Sequence, residues 1–480
     1  MNIVHAASEL FPFMKTGGLA DAVGGLTKTL AAAGHEVSVF LPGYRMALEH
    51  PEADGAHRIH RLQIELGGRF VEADLLRLPL GPGYTVYFIA RDEFFDRRGA
   101  YGTNERDYDD NAERFIFFAK AVAEAMRLAD LKADVVHAHD WQTALLPVYV
   151  RLVEERHDTS LAVKTVFTVH NLSFQGVFPM DAFALTNLPD EFRSVDGLEF
   201  FGQMNLMKAG LLFADRVTTV SPTYAREIQT PEFGCGLEGV IATRASDLVG
   251  LLNGIDDAIW NPAIDPLLPA RYNLEDPTGK QKCRRALLKK CGFPADSTAP
   301  IFAVVCRLVE QKGIDLLLGA HRFFETQDCH LIVVGTGWAR YEEAFNELSQ
   351  AHPRRVVLAK VLDEPMTHLV EAGADFFLMP SIFEPCGLNQ MYSQRYGTVP
   401  LCSRVGGLVD TVIDLEESPE EGTGLLFAPT EQGISWALER ALMLYRRPEK
   451  MRAIIARGMR REFGWGTAAQ RHLQVYNDEL

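Results

Sequence analysis

Apolar residues along this chain follow two rhythms. Short, mostly apolar runs recur at 3–7, 37–41, 134–138, 163–169 and 216–220, and again at 301–305, 330–334, 356–360, 375–379 and 400–402. Such runs suit parallel strands buried on both faces. Between them apolar positions return every three or four residues. Leu19, Val23, Leu26 and Leu30 predict a helix that Gly34 stops. A basic helix is predicted over 280–290, and Ser221-Pro222 starts another. Residues 45–110 fit neither rhythm. They read as irregular, with a surface excursion rich in charge, Gly and Tyr over 91–110. The alternation resumes beyond a Pro-rich passage that ends near Pro269, so it predicts two α/β lobes.

Length agrees, because 480 residues exceed one ordinary core. Acidic residues outnumber basic ones 64 to 48, which argues against a phosphate-tracking nucleic-acid binder. The seven cysteines show no C-x-x-C pair and no metal-ligand spacing. They read as reduced thiols of a cytoplasmic protein, with neither a metal nor a cofactor expected. The N-terminus lacks a signal-peptide pattern, and no apolar run reaches membrane-spanning length. No membrane partner is expected.

Candidate chemistry gathers where predicted strands end. Lys15-Thr16-Gly17-Gly18 lies between a strand and a helix, as in phosphate-binding loops, but lacks the dinucleotide fingerprint. It suits either an anion beside Lys15 or a tight turn. His139-Asp140-Trp141-Gln142 and His170-Asn171-Leu172 close two further strands, where polar side chains serve as ligands or as helix caps. Arg307 and Lys312 follow the 301–305 strand. Two cations at one turn suit a diphosphate or surface ion pairs. Pro380-Ser381-Ile382-Phe383-Glu384-Pro385-Cys386-Gly387-Leu388-Asn389-Gln390 follows the 375–379 strand. There an acid meets backbone N–H groups at a helix start, at the edge where open α/β sheets bind ligands.

Together these residues resemble bacterial glycogen synthases and plant starch synthases. The likeness runs from the first strand to the last helix. It rests on K-T-G-G-L at 15–19, H-D-W-Q at 139–142, H-N-L-S-F-Q-G at 170–176 and V-S-P-T-Y-A-R-E-I at 220–228. N-G-I-D at 253–256, R-L-V-E-Q-K-G at 307–313 and E-P-C-G-L at 384–388 complete it. The resemblance implies the GT-B fold, two Rossmann-like, doubly wound domains facing a deep interdomain cleft. It places an acceptor-side domain at 1–245, with a final helix at 465–480 packing back on it, and a nucleotide-sugar domain at 246–464. It implies transfer of glucose from ADP-glucose to glycogen or another α-1,4-glucan, with retention. Arg307 and Lys312 would offset leaving-group charge, helped by Lys15 and the Gly17–Gly18 backbone. Glu384 and His170 would grip the sugar and Asp140 would line the acceptor side. Asn253, the N–H groups of Cys386, Gly387 and Leu388, and Asn389 would contact the donor. The chain departs from the family where Arg is common at Ile382 and Thr at Asn389. Many related transferases carry a second glutamate at the position of Tyr392. A phosphorylase of the same architecture would need a pyridoxal-bearing lysine, for which no candidate stands out. A purely binding protein would not require Arg307, Lys312 and Glu384 together.

Overall fold

The computed structural model describes residues 1–103, 106–157, 163–360 and 363–480, without the side chains of 153–157. The chain forms two compact units, Met1–Gly254 with Trp465–Leu480, and Ile255–Gly464.

The first unit is built on twelve strands: β1 Asn2–Ala6, β2 Glu36–Pro42, β3 His57–Leu66, β4 Arg69–Gly81, β5 Tyr84–Ala90, β6 Val135–His139, β7 Lys164–Val169, β8 Val177–Pro179, β9 Glu199–Phe200, β10 Gln203–Asn205, β11 Arg216–Thr219 and β12 Leu248–Gly250. Nine of them make one sheet in the order β12-β11-β7-β6-β1-β2-β5-β4-β3, and β8, β10 and β9 make a small separate one. Pairing is parallel from β12 to β5, and antiparallel at β5–β4 and β4–β3.

Two expectations for this unit are corrected. Residues 57–90, read as irregular, form three strands. In β3, Leu62, Ile64 and Leu66 are buried while Arg61, Gln63 and Glu65 are exposed, the alternation of an antiparallel edge with one wet face. Gly67 and Gly68, at φ +57° and +82°, supply the turn into β4. The stretch 91–110 is not a surface excursion, although its residues 104 and 105 lie outside the described ones. Phe94 and Phe95 are buried, and Arg97 pairs with Asp110 at 2.5 Å. The unit also runs past the expected boundary at 245. The reason is β12, which pairs with β11 as an edge strand.

The second unit holds β13 Ile301–Val305, β14 His330–Val334, β15 Val356–Ala359, β16 Phe376–Met379, β17 Val399–Ser403 and β18 Leu425–Phe427. They form a parallel sheet in the order β15-β14-β13-β16-β17-β18. Counted from β13 this is 3-2-1-4-5-6, the Rossmann order. β18 is an addition to the predicted strands. Alternate residues of β13 enter opposite core layers: Phe302 and Val304 one, Ile301, Ala303 and Val305 the other. That is the period-two rule of a strand covered on both faces. Among the described residues no helix is long and apolar enough to cross a membrane.

The last helix, Trp465–Tyr476, joins the first unit against the helix Gly18–Ala32. A Cβ on Gly25 would lie 1.9 Å from Trp465 Nε1, and the indole is buried. Gly25→Ala gains about 1 kcal/mol in helix propensity but forces this contact apart, at about 1–3 kcal/mol. The expected net result is a lower melting temperature. Gly466→Ala, where a Cβ meets nothing within 4 Å, is the control and should not lower it.

Candidate active site

In the second unit the strand order reverses between β13 and β16. Loops leaving these neighbours diverge and leave a crevice at their carboxyl ends. Residues 306–313 follow β13 and 380–388 follow β16. Three contacts tie the loops together. The Ile382 N–H donates to Gln311 O at 2.9 Å. Asn389 Nδ2 donates to Val305 O, the last carbonyl of β13, at 2.8 Å. Gly313, at φ +64°, lies so near that a Cβ would stand 1.8 Å from Pro380 O. Only glycine fits there. Lys312 Nζ thereby meets Glu384 Oε2 at 2.6 Å, and the Ser381 hydroxyl donates to the same oxygen at 2.9 Å. Glu384 is only 6% exposed, so its charge depends on that ammonium. Arg307 is exposed and forms no ion pair among the described residues. Behind the loop, the Gly407 N–H donates to Glu384 O at 3.0 Å and Pro385 O at 3.2 Å. A Cβ there would lie 2.4 Å from Cys386 O. Gly387 sits at φ +70° and turns the chain into Leu388 and the helix Asn389–Arg395.

In the first unit the reversal falls between β1 and β6. Asp140 follows β6 at φ +57°. Its Oδ1 accepts the His170 N–H at 2.7 Å, and its own N–H donates to Thr168 O at 3.0 Å. Asp140 thus fixes the backbone where β7 ends. Glu9, just past β1, accepts from the Thr16 N–H at 2.6 Å, the Thr16 hydroxyl at 2.6 Å, the Gly17 N–H at 3.2 Å and the Tyr101 hydroxyl at 2.7 Å. Lys15 pairs with Asp21 at 2.9 Å. Asn253 is half-buried, beside Gly254, whose Cβ would lie 2.7 Å from Trp465 N.

Two family models match the sequence: the starch synthase catalytic domain over residues 2–243 and glycosyl transferases group 1 over 290–459. A glycogen synthase of Opitutus terrae is 59% identical over 480 residues, covering all of both chains. Glycogen synthase 1 of Methylococcus capsulatus is 43% identical, covering 100% of this chain and 97% of its own. The catalytic domain of starch synthase IV from Arabidopsis thaliana, solved with ADP and acarbose, superposes with a TM-score of 0.91 at 32% identity, covering 99% of each chain. The chain belongs to the glycogen synthase family. It is a glucosyltransferase with the GT-B fold.

Seen as a member of that family, the chain has its predicted site residues in two groups. Arg307, Lys312, Glu384, Cys386, Gly387, Leu388 and Asn389 stand on the segments that follow β13 and β16 in the second unit. Lys15, Gly17, Gly18, Asp140, His170 and Asn253 belong to the first. Three local readings change. The Gly17 N–H is taken by Glu9, so the K-T-G-G turn is shaped by an internal carboxylate. The Asn389 amide nitrogen is spent on Val305. Glu384 has a cation, Lys312, as its immediate neighbour. Glu9 and Tyr101 were missed. A Ser-Glu pair directly after a strand, ahead of a glycine turn, was the available signal for Glu9. Nothing in the local sequence marks Tyr101. Tyr392 stacks on Trp260 with centroids 3.7 Å apart, inside the fold.

Burial sets the electrostatics of the first unit. His5, His137, His139, His170 and His472 all have lowered pKa values, chiefly through desolvation, to about 3 for His5 and His170 and about 4 for His472. Burial pushes the Asp140 carboxyl up to about 7, against the backbone N–H groups of His170 and Asn171 and with some help from Glu9.

These shifts predict the acid stability of the unit. Each imidazole binds a proton near pH 6.5 when unfolded but only at lower pH when folded, about 3 for His5 and His170 and about 4 for His472, so its stabilisation is complete above 6.5 and is lost as pH falls. Asp140 works the other way: its contribution is greatest in acid and falls as pH rises from 3.8 to about 7. Five histidines outweigh one carboxyl. Unfolding midpoints of the first unit should therefore fall steadily from pH 6.5 to 4. A flat or rising profile would show that these rings are charged in the native state.

Proposed function

We propose that the chain is a glycogen synthase that moves glucose from ADP-glucose to the non-reducing 4-hydroxyl of an α-1,4-glucan, with retention. The observation that carries this reading is the Lys312–Glu384 pair, 2.6 Å apart at the switch point of a Rossmann-ordered sheet, with the exposed Arg307 on the adjoining loop. In the reaction the bond from C1 to the diphosphate breaks and its electron pair stays with ADP. Acceptor O4 bonds to C1 on the same face and releases its proton. Negative charge grows on the diphosphate and positive charge on the sugar ring. Arg307 and Lys312 answer the first. Glu384 answers the second and grips sugar hydroxyls with His170. The second unit takes the donor, its Cys386, Gly387 and Leu388 N–H groups included. Lys15 and the Gly17–Gly18 backbone help to offset the leaving-group charge, Asn253 adds a contact to the donor sugar, and Asp140 lines the acceptor side. The ADP in the Arabidopsis relative supports the donor assignment. Seven free thiols fit a reducing compartment, the cytoplasm.

ADP release from ADP-glucose, measured with and without glycogen, tests the reading. Release should depend on glycogen and should extend it. No release, or release by phosphate instead of glucan, contradicts it.

The pairing pattern separates the two cations. Arg307→Ala removes an exposed side chain that has no ion-pair partner among the described residues. It should lower kcat by about 10²–10³, the loss of one charge-stabilising contact, with the melting temperature unchanged. Lys312→Ala should lose as much turnover and also some stability, because buried Glu384 loses its counter-charge. Normal turnover in a folded Arg307→Ala protein would remove Arg307 from the site.

A further inference from the structure

Behind His170 lies a chain of imidazoles. His139 Nδ1 is 3.0 Å from His170 Nε2, and His5 Nδ1 is 3.0 Å from His139 Nε2. His5 and His139 are buried completely, or nearly so. His5 Nε2 meets no hydrogen-bonding group among the described residues. Distance alone would let His5, His137 and His139 surround a metal ion. Both nitrogens of His137 are committed elsewhere, however. His137 spends Nδ1 on the Tyr476 hydroxyl at 2.8 Å and Nε2 on Thr168 Oγ1 at 2.5 Å. Its ring lies 4.1 Å from that of His139, as a buttress.

A neutral imidazole carries one N–H and one bare nitrogen. Each N···N contact consumes one of each. Three neutral rings in a row therefore allow two arrangements. In one, every proton points inward: His170 Nε2–H donates to His139, His139 Nε2–H donates to His5, and His5 Nε2–H is left buried without an acceptor. In the other, every proton points outward: His5 Nδ1–H donates to His139, His139 Nδ1–H donates to His170 Nε2, and His170 carries its proton on Nδ1. The second arrangement leaves only a bare lone pair buried at His5. Orphaned buried N–H groups are rarer than unsatisfied acceptors, so the outward arrangement is preferred.

We infer that His139, backed by His5, is a positioning residue that holds His170 as its Nδ1–H tautomer, presenting a hydrogen-bond donor to a sugar oxygen. This rests on the reading of His170 as a sugar-gripping residue. The Asp140 carboxylate fixes the His170 backbone, and the imidazole chain fixes its ring and its proton. A ring held in one tautomer meets the sugar oxygen without reorganising.

The test uses the full chain labelled with ¹⁵N-histidine, read by long-range ¹H–¹⁵N spectra, beside kinetics of His139→Leu and His139→Gln. Wild type should show His170 protonated on Nδ1. In His139→Leu, kcat should fall about 10–100-fold while KM for ADP-glucose changes less than about twofold, and both His170 tautomers should appear. Gln can donate to His170 and accept from His5, so His139→Gln should restore turnover to within about threefold of wild type and return the Nδ1–H signal. A wild-type spectrum with His170 protonated on Nε2 overturns the inference, and needs no variant to fold. Equal losses in Leu and Gln that follow their melting temperatures overturn it as well. An inactive wild type with the expected tautomer would instead count against the proposed function alone.

Discussion

A nearly buried carboxylate must be matched by positive charge, and the loops after β13 and β16 are built around that requirement. Glu384 keeps 6% of its surface exposed, and an unpaired charge at such depth costs several kcal/mol. Lys312 meets the requirement only because two loops from neighbouring parallel strands are packed against one another. Gly313 presses on the Pro380 carbonyl, Asn389 reaches back to β13, and Ile382 binds Gln311. Loosening any of these would move the ammonium from the carboxylate. The Rossmann order supplies the place, since the loops after β13 and β16 diverge at the point where the strand order reverses.

The first unit has the same reversal, between β1 and β6, and furnishes it differently. Where the second unit presents formal charges, the first presents groups that burial keeps neutral or nearly so. Burial holds the pKa values of His5, His137, His139, His170 and His472 down, and Asp140 is pushed towards neutrality. The Glu9 carboxylate is turned inward to hold the Lys15–Gly18 turn and Tyr101.

The first unit also uses its ends. The last helix of the chain, Trp465–Tyr476, lies in the fold that the first strand begins. Its Tyr476 hydroxyl holds His137, whose ring backs His139. The chain's two ends therefore meet behind its histidines, and the order of one depends on the other.

The sequence by itself determined the parallel α/β architecture and the strand ends at which Arg307, Lys312, Glu384, Asp140 and His170 stand. Buried parallel strands are written as local apolar runs, and the chemistry stands directly after them. Strands β3 and β4 were hidden because a sheet margin with one wet face alternates with charges and lacks such runs, whereas β5 is an apolar run that stands among them. Partners were decided only by the tertiary structure. That Lys312 faces Glu384, that Asn389 is spent on Val305 and that five histidines share one interior are facts about residues distant in sequence. No local pattern encodes them, because each depends on which strands become neighbours and how closely glycine lets their loops approach.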